Sequence, residues 1–209
     1  MYTAVELKEA KIKPKINDIT LDVLREYYEY FLYSSIYTYR ITSQNHQWEI
    51  ELRFDIENFC HLLGVETVVR QAVKVSELYN YRGKKGWDNI KSGLVDIKHL
   101  KELNKRQFNS VKAKYVYFYL IPVLLDSPLG VNYDRSKVVT STKIECEILF
   151  YNEYNNAVIH LGLEKKTDEK YYIPRTFFVE KLGKNGSVDR YVENQEKITV
   201  MKKERIIMM

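Results

Sequence analysis

The stretch "KIECEILFYNEYNNAVIHLGLEK", residues 143–165, carries the reading on which the fold turns. Ile144, Cys146, Ile148 and Phe150 recur at every second position, opposite Lys143, Glu145 and Glu147. A period of two belongs to a half-buried strand, because successive side chains point to opposite faces. The Asn155-Asn156 pair suits the positive φ of a tight hairpin turn. Beyond it Ala157, Ile159, Leu161 and Leu163 alternate with Val158, His160, Gly162 and Glu164. A third strand is expected in "YYIPRTFFVEKL" (171–182), leading through Asn185-Gly186 to a fourth in "DRYVENQEKITVMKKERI" (189–206). Strands joined by short turns predict an antiparallel meander packed on helices.

Upstream the period changes. Ile19, Leu21, Leu24, Tyr28 and Phe31 fall near helical spacing, with Asp18 as the expected cap. Tyr37, Tyr39 and Ile41 then alternate with Ile36, Thr38 and Arg40, the tyrosine row being the expected buried side. After "SQNH" (43–46), Trp48, Ile50, Leu52 and Phe54 alternate in turn, which predicts a hairpin with one buried face. "FDIENFCHLLGVE" (54–66) reads as a short helix capped by Asp55 and stopped by Gly64.

From about Ser76 to Asp126 the pattern is helical, with a short helix in "GKKGWDNIKSGL" (83–94) and a longer one closed near Pro122. If the longer segment winds continuously, Lys98, Lys101, Lys105 and Lys112 share one side. Such a row is ordinarily a solvated face, and it is also what a phosphate backbone would lie along. The predicted fold is therefore α+β: N-terminal helices and a β-hairpin, then a helical region leading into a four-stranded antiparallel sheet. Residues 1–45 are expected to form an N-terminal arm, a helix and the first hairpin strand, with the main domain over 46–209.

Composition narrows the function classes. With 209 residues and 45% hydrophobic content the chain has material for a real core. No apolar stretch approaches a membrane span, and the first residues lack the apolar segment of a signal peptide, so a soluble intracellular protein is expected. Two cysteines, Cys60 and Cys146, lack the paired spacing of a zinc site, and no H-x-x-x-H, P-loop or G-x-G-x-x-G occurs. Chemistry without a protein-bound metal or nucleotide cofactor is the expectation. The net charge of +5 and the 18 tyrosines favour polyanionic partners only mildly, since both are also ordinary surface and core material.

On a helical wheel Ile56, Phe59, Cys60 and Leu63 form one stripe, and His61 lies far round from it. It is either a surface histidine or a group that moves protons. His160 is expected to face away from Ile159 and Leu161, and the same two readings stay open for it.

Taken in order, "IELRFDIENFCHLLGVE", a long basic helical region, "TKIECEILFYNE", "AVIHLGLEKK", "YYIPRTFFVEK" and "YVENQEKITV" resemble the phage barnase–EndoU–colicin–RelE-like (BECR) nuclease domains, the fourth phage subfamily most closely. The resemblance runs from about residue 46 to the end. It implies a ribonuclease or RNase-type toxin of a phage or mobile element, acting in the cytoplasm of a host bacterium. The implied partners are RNA, tRNA among its candidate forms, and an antitoxin or immunity protein. The implied reaction is attack by the RNA's own 2′-OH, giving a 2′,3′-cyclic phosphate without a metal or other cofactor.

Carried onto this chain, the resemblance makes His61 the leading general acid or base. Arg175 and Thr176 would hold the phosphate. On a regular strand those two point to opposite faces, and Pro174 before them makes a bulge plausible that would bring both to one side. Lys143 and Tyr191 would add charge and a hydroxyl from neighbouring strands, with Glu180 on the face of Thr176 and His160 as rival histidine. Lys98, Lys101, Lys105 and Lys112 complete the candidate substrate contacts. The alternative is a non-catalytic nucleic-acid-binding or inhibitory protein on the same scaffold.

Overall fold

The computed structural model describes residues 1–44, 46–138, 142–154, 156–182 and 190–208. The Asn185-Gly186 turn and Asn155 lie outside the described residues, while Asn156 has the expected positive φ of 60°. The chain forms two compact units, a helical one of Met1–Ser34 with Asp55–Tyr119 and a barrel of Ser35–Phe54 with Leu120–Met209.

The helical unit holds α1 (Ala4–Lys8), α2 (Leu21–Tyr28), α3 (Asn58–Leu63), α4 (Val65–Val69), α5 (Gly83–Lys91) and α6 (Ile97–Tyr117). The cap of α2 is Thr20, whose hydroxyl accepts the Val23 N–H, rather than Asp18. Its core is aromatic: Tyr28, Trp87 and Phe118 surround Phe59 with ring centroids 5.2–6.0 Å away. Arg25 is buried there, held by Asp22 at 2.6 Å and Glu29 at 2.7 Å with its guanidinium over Trp87. A guanidinium in such a core requires these partners, because an unpaired buried charge costs several kcal/mol. Gly64 ends α3 at φ 70°. A side chain there would meet Val111 Cγ1 at 3.0 Å, so both the backbone and the space call for glycine.

The long helix does not wind continuously. Asn104 leaves helical geometry (φ −157°, ψ 85°), and its side chain accepts the Gln107 N–H to restart the helix. The lysines therefore fall two and two on either side of a break. Lys98 pairs with Glu102 at 3.9 Å, and Lys101 lies over the Phe108 ring.

The barrel unit contains, among the described residues, seven strands: β1 (Ser35–Thr42), β2 (Gln47–Arg53), β3 (Leu129–Asn132), β4 (Ile148–Tyr154), β5 (Ala157–Lys165), β6 (Tyr172–Lys181) and β7 (Glu196–Ile207). They close in the order β1-β2-β6-β5-β4-β3-β7. Every pairing is antiparallel except β2 with β6, which is parallel and rests on Leu52↔Tyr172. This corrects the expected four-stranded antiparallel sheet. The hairpin is no preface but two staves of the barrel, because β7 pairs with β1 along most of its length. The four-residue β3 then fills the gap between β4 and the start of β7.

Strand parity defines the inside. Tyr37, Tyr39 and Ile41, the predicted tyrosine row, are fully buried together with Leu52, Phe150, Ile159, Leu161, Leu163 and Phe177. The rings of Tyr39 and Phe150 meet at 5.2 Å from strands that are not neighbours, so they touch across the interior. A last helix, α7 (Ile121–Asp126), carries Pro122 in its first turn, and its Leu125 carbonyl accepts the Tyr39 hydroxyl at 2.7 Å. Pro122 thus opens a helix as well as following one.

Gly86, inside α5, gives a test of the helical packing. An exposed helix interior gains about 1 kcal/mol when glycine becomes alanine. Here the new Cβ would lie 2.7 Å from the Tyr81 backbone carbon and 2.8 Å from Cys60 Sγ. Overpacking of that kind costs about 1–3 kcal/mol, so it outweighs the propensity gain. Gly86→Ala is expected to lower the thermal unfolding midpoint; an unchanged or raised midpoint contradicts this packing.

Candidate functional site

Outward-facing residues of the barrel build the site. Over the outer face of β4, β5 and β6 the chain makes two crossings, described over 133–138 with 142–147 and over 190–195, outside any strand. Val131, Tyr133, Val138, Leu149, Tyr191 and Val192 form a buried cluster there, with Ile144, Cys146, Tyr151 and Phe178 packed against it. The crossings are tied together by Gln195, whose side chain accepts the Asp134 N–H at 2.8 Å and donates to the Asp134 carbonyl at 2.9 Å. As a result β5 is covered on both faces, and its residues from Ala157 to Leu163 are all buried.

His160 sits in the middle of this layer with 0% exposure. It stacks on Phe178 (centroids 4.2 Å, planes 4° apart), with Tyr151 and the edge of Tyr191 also in contact. The outward direction read from alternation holds, but the direction leads into a second core rather than into water.

The expected bulge is present. Gly162 pairs with Thr176 and Leu163 with Pro174, so Arg175 is the extra residue on β6. Such an insertion bends the strand and lets neighbouring side chains leave on one side. Thr176 lies outward against Gly162 and Cys146. Arg175 is exposed and reaches Glu164, its Nε 3.1 Å from Oε2, and Glu164 belongs to the same outward row as His160. Gly162 has no room for a Cβ, which would meet Thr176 Cγ2 at 2.7 Å, so the close approach of these strands depends on it.

Glu180 continues the outward row of Thr176 and Phe178. Arg190 bridges it to the crossing segment: Nε is 3.6 Å from Glu180 Oε1, and Nη2 donates to the Tyr191 hydroxyl at 2.9 Å. Arg175, Thr176, His160, Glu180 and Tyr191 are thus brought to one face of the barrel. Lys143 is exposed on the 142–147 crossing, not on a strand, because β4 begins only at Ile148. Tyr191 likewise precedes its expected strand, which begins at Glu196. His61 belongs to the helical unit, exposed in the last turn of α3 while Phe59, Cys60, Leu62 and Leu63 beside it are buried. The four lysines of α6 belong to that unit as well.

Arg190 is the functional candidate that pattern reading passed over. Its signal, a cation next to an aromatic in a turn, is too common to single out. Among the described residues no group of three His, Cys, Asp or Glu side chains could hold a metal ion. No described helix is long and apolar enough to cross a membrane.

A family model described as phage-Barnase-EndoU-ColicinE5/D-RelE like nuclease4 matches residues 20–207. The match takes in α2 and the whole hairpin. Neither the curated proteins nor the solved structures gave a match.

The thiols report on the two cores. Burial pushes Cys60 up to about 12, helped by Glu66, and pushes Cys146 up to about 12, helped by Glu164 and Glu147. The thiolate is the reactive form. Native protein at pH 8 should therefore release almost no thionitrobenzoate from Ellman's reagent, and unfolding in urea should release two equivalents, one per cysteine. Rapid reaction of a Cys60→Ser variant in the native state would show that the cover over Cys146 is open.

Proposed function

The chain belongs to this family of phage nucleases, and on that footing we propose that it is a metal-independent endoribonuclease, an RNase toxin acting in the cytoplasm of a host bacterium. The RNA 2′-oxygen bonds to phosphorus as the P–O5′ bond breaks. The 2′-OH proton passes to a basic group of the protein, and O5′ takes up a proton, leaving a 2′,3′-cyclic phosphate and a 5′-OH. The protein must move those protons and hold the charge on the phosphoryl oxygens.

The bulge at Arg175 carries this reading. It supports the pair expected to hold the phosphate, a guanidinium and a hydroxyl side by side on an outward face. Arg175 would exchange Glu164 for the phosphate, since both side chains of that ion pair are about half exposed. Lys143, exposed on the 142–147 crossing, would be a further cation for the phosphate. The histidines divide by exposure. His160, fully buried in its stack, serves the packing of the outer layer. His61 is exposed and remains the proposed acid or base. An antitoxin or immunity protein and tRNA as substrate remain part of this proposal.

The burial of His160 also favours a second reading, a nucleic-acid-binding protein that has kept the scaffold without the chemistry. Incubation with RNA in EDTA separates the two. The first predicts fragments ending in 2′,3′-cyclic phosphate by mass spectrometry, and the second predicts salt-sensitive binding with intact RNA. Arg175→Ala combined with Thr176→Val should lower kcat by ~10²-fold or more. A change confined to KM would make the pair substrate holders only. His61→Ala should abolish cleavage at unchanged thermal stability, whereas His160→Ala should lower the unfolding midpoint. Full activity of His61→Ala removes it from the mechanism.

A further inference from the structure

The barrel has a second polar feature, at the end where β1 meets β2. A shallow cleft of about 480 Å³ is lined by Ser43, His46, Trp48, Asn132 and Glu196. Register shows that most of these point inward. Trp48 pairs with Ile41, which is fully buried on the inner face. Asn132 pairs with both Ile148 and Glu196, whose own neighbours two residues along, Phe150 and Ile198, are inward and buried. Directly paired residues share a face. Trp48, Asn132 and Glu196 therefore lie over the mouth of the barrel, a common place for small-ligand clefts.

The chemistry of the lining is specific. The exposed His46 ring stacks on Trp48 with ring centroids 5.3 Å apart and planes 16° apart, so a flat ring entering here would take that indole face by displacing His46. Asn132 Nδ2 donates to Glu196 Oε2 at 2.9 Å. The oxygens on the other side of that pair, Asn132 Oδ1 and the second carboxylate oxygen, are acceptors. The described residues lining the cleft include no lysine or arginine. An aromatic face beside paired acceptors, without a cation, fits a planar ring that carries N–H donors, not a phosphate.

We infer that the barrel mouth is a nucleobase subsite, in which Trp48 stacks on the base while Asn132 and Glu196 accept from its exocyclic amino group. That the base belongs to the substrate rests on the nuclease reading above. The same oxygens face the carbonyls of uracil unfavourably, so amino-bearing bases are preferred. The mouth also adjoins the outer face along the chain: Glu196 directly follows the 190–195 crossing, and Asn132 directly precedes Tyr133. One single strand can thus lie across the crossing with a phosphate on the outer face and a neighbouring base at the mouth.

Binding is tested with labelled 2′-O-methyl oligo(A), oligo(C) and oligo(U) of about four nucleotides, which lack the attacking hydroxyl. Fluorescence anisotropy with the full chain should rank A and C above U. Trp48→Ala should weaken all of them by ~10-fold or more, the range of base–aromatic stacking, and Trp48→Phe should recover most of the loss. Glu196→Gln should reduce the preference over U by ~5–10-fold while keeping affinity for U. Equal affinity of Trp48→Ala and parent, or tighter binding of maltotriose than of any oligonucleotide, overturns the subsite. Failure of the cleavage reading looks different: intact RNA in the nuclease assay with Trp48-dependent binding preserved. Cleavage that Trp48→Phe, Trp48→Ala and Glu196→Gln all leave unaltered in base preference sinks the subsite alone.

Discussion

The double pairing of β7 closes the barrel. Its twelve residues run antiparallel to β3 at their start and to β1 thereafter. Without that strand the hairpin and the β3–β6 sheet would present two open edges, each a row of unpaired backbone groups. Closure fixes the register of β1 and β3 relative to one another, and register with a period of two fixes which side chains point in. Inward Trp48 and Asn132, the buried tyrosine row and the outward row of β5 and β6 all follow from it. The one bend in this pairing, a shift between Thr38 and Tyr39, lets Tyr37 oppose Arg205, which also reaches Ser35 through two hydrogen bonds. Lys202 bonds Asp126 at 2.5 Å at the same end, so the last strand is anchored by charge where its apolar partners run out.

A closed barrel ordinarily has a wet outside, and β5 departs from that. Seven successive buried residues on a strand need material on both faces, and the two crossings supply it outside. The burial of a Tyr191-sized side chain contributes about 1.5–3 kcal/mol, which makes the crossings part of the fold rather than loose connections. Gln195 adds two hydrogen bonds that satisfy a backbone donor and a backbone acceptor at once. A buried imidazole is tolerated in this layer because its flat ring stacks like an aromatic side chain.

Sequence patterns made the local features legible. Alternation located the tyrosine row, Gly64 marked the end of α3, and Pro174 marked the irregularity that proved to be the bulge at Arg175. Each depends on residues near one another in the chain. What stayed hidden depends on distant ones. Four residues, "LGVN", carry too little periodicity to announce β3, and only the edges they join make them a strand. The pairing of β1 with β7 spans nearly the whole barrel unit. The outward row of β5 was read correctly for direction and wrongly for environment, since alternation reports which side a residue takes and not what lies there. Asn104 looked like any polar helix residue, yet its side chain caps the following turn, a competition between side chain and backbone that propensity alone does not resolve.

The same closure bears on how a nuclease of this family can divide its work. Cationic side chains near the site, Arg175, Arg190 and Lys143, lie on the outer face or its crossings, whereas the described residues lining the Trp48 cleft include no lysine or arginine. Phosphate contacts hold a strand without reading it, and base contacts discriminate while adding less long-range attraction. With the proposed phosphate on the outer face of the barrel wall and the cleft on the inner, the carboxylate of Glu196 would stay away from the phosphate that it would repel. The connection between them is the 190–196 chain itself, stiffened by Gln195 on one side and by the Arg190–Glu180 pair on the other. That link joins the mouth to the outer face, so in the proposed enzyme the base held at the mouth would help to select which phosphodiester meets Arg175 and Thr176.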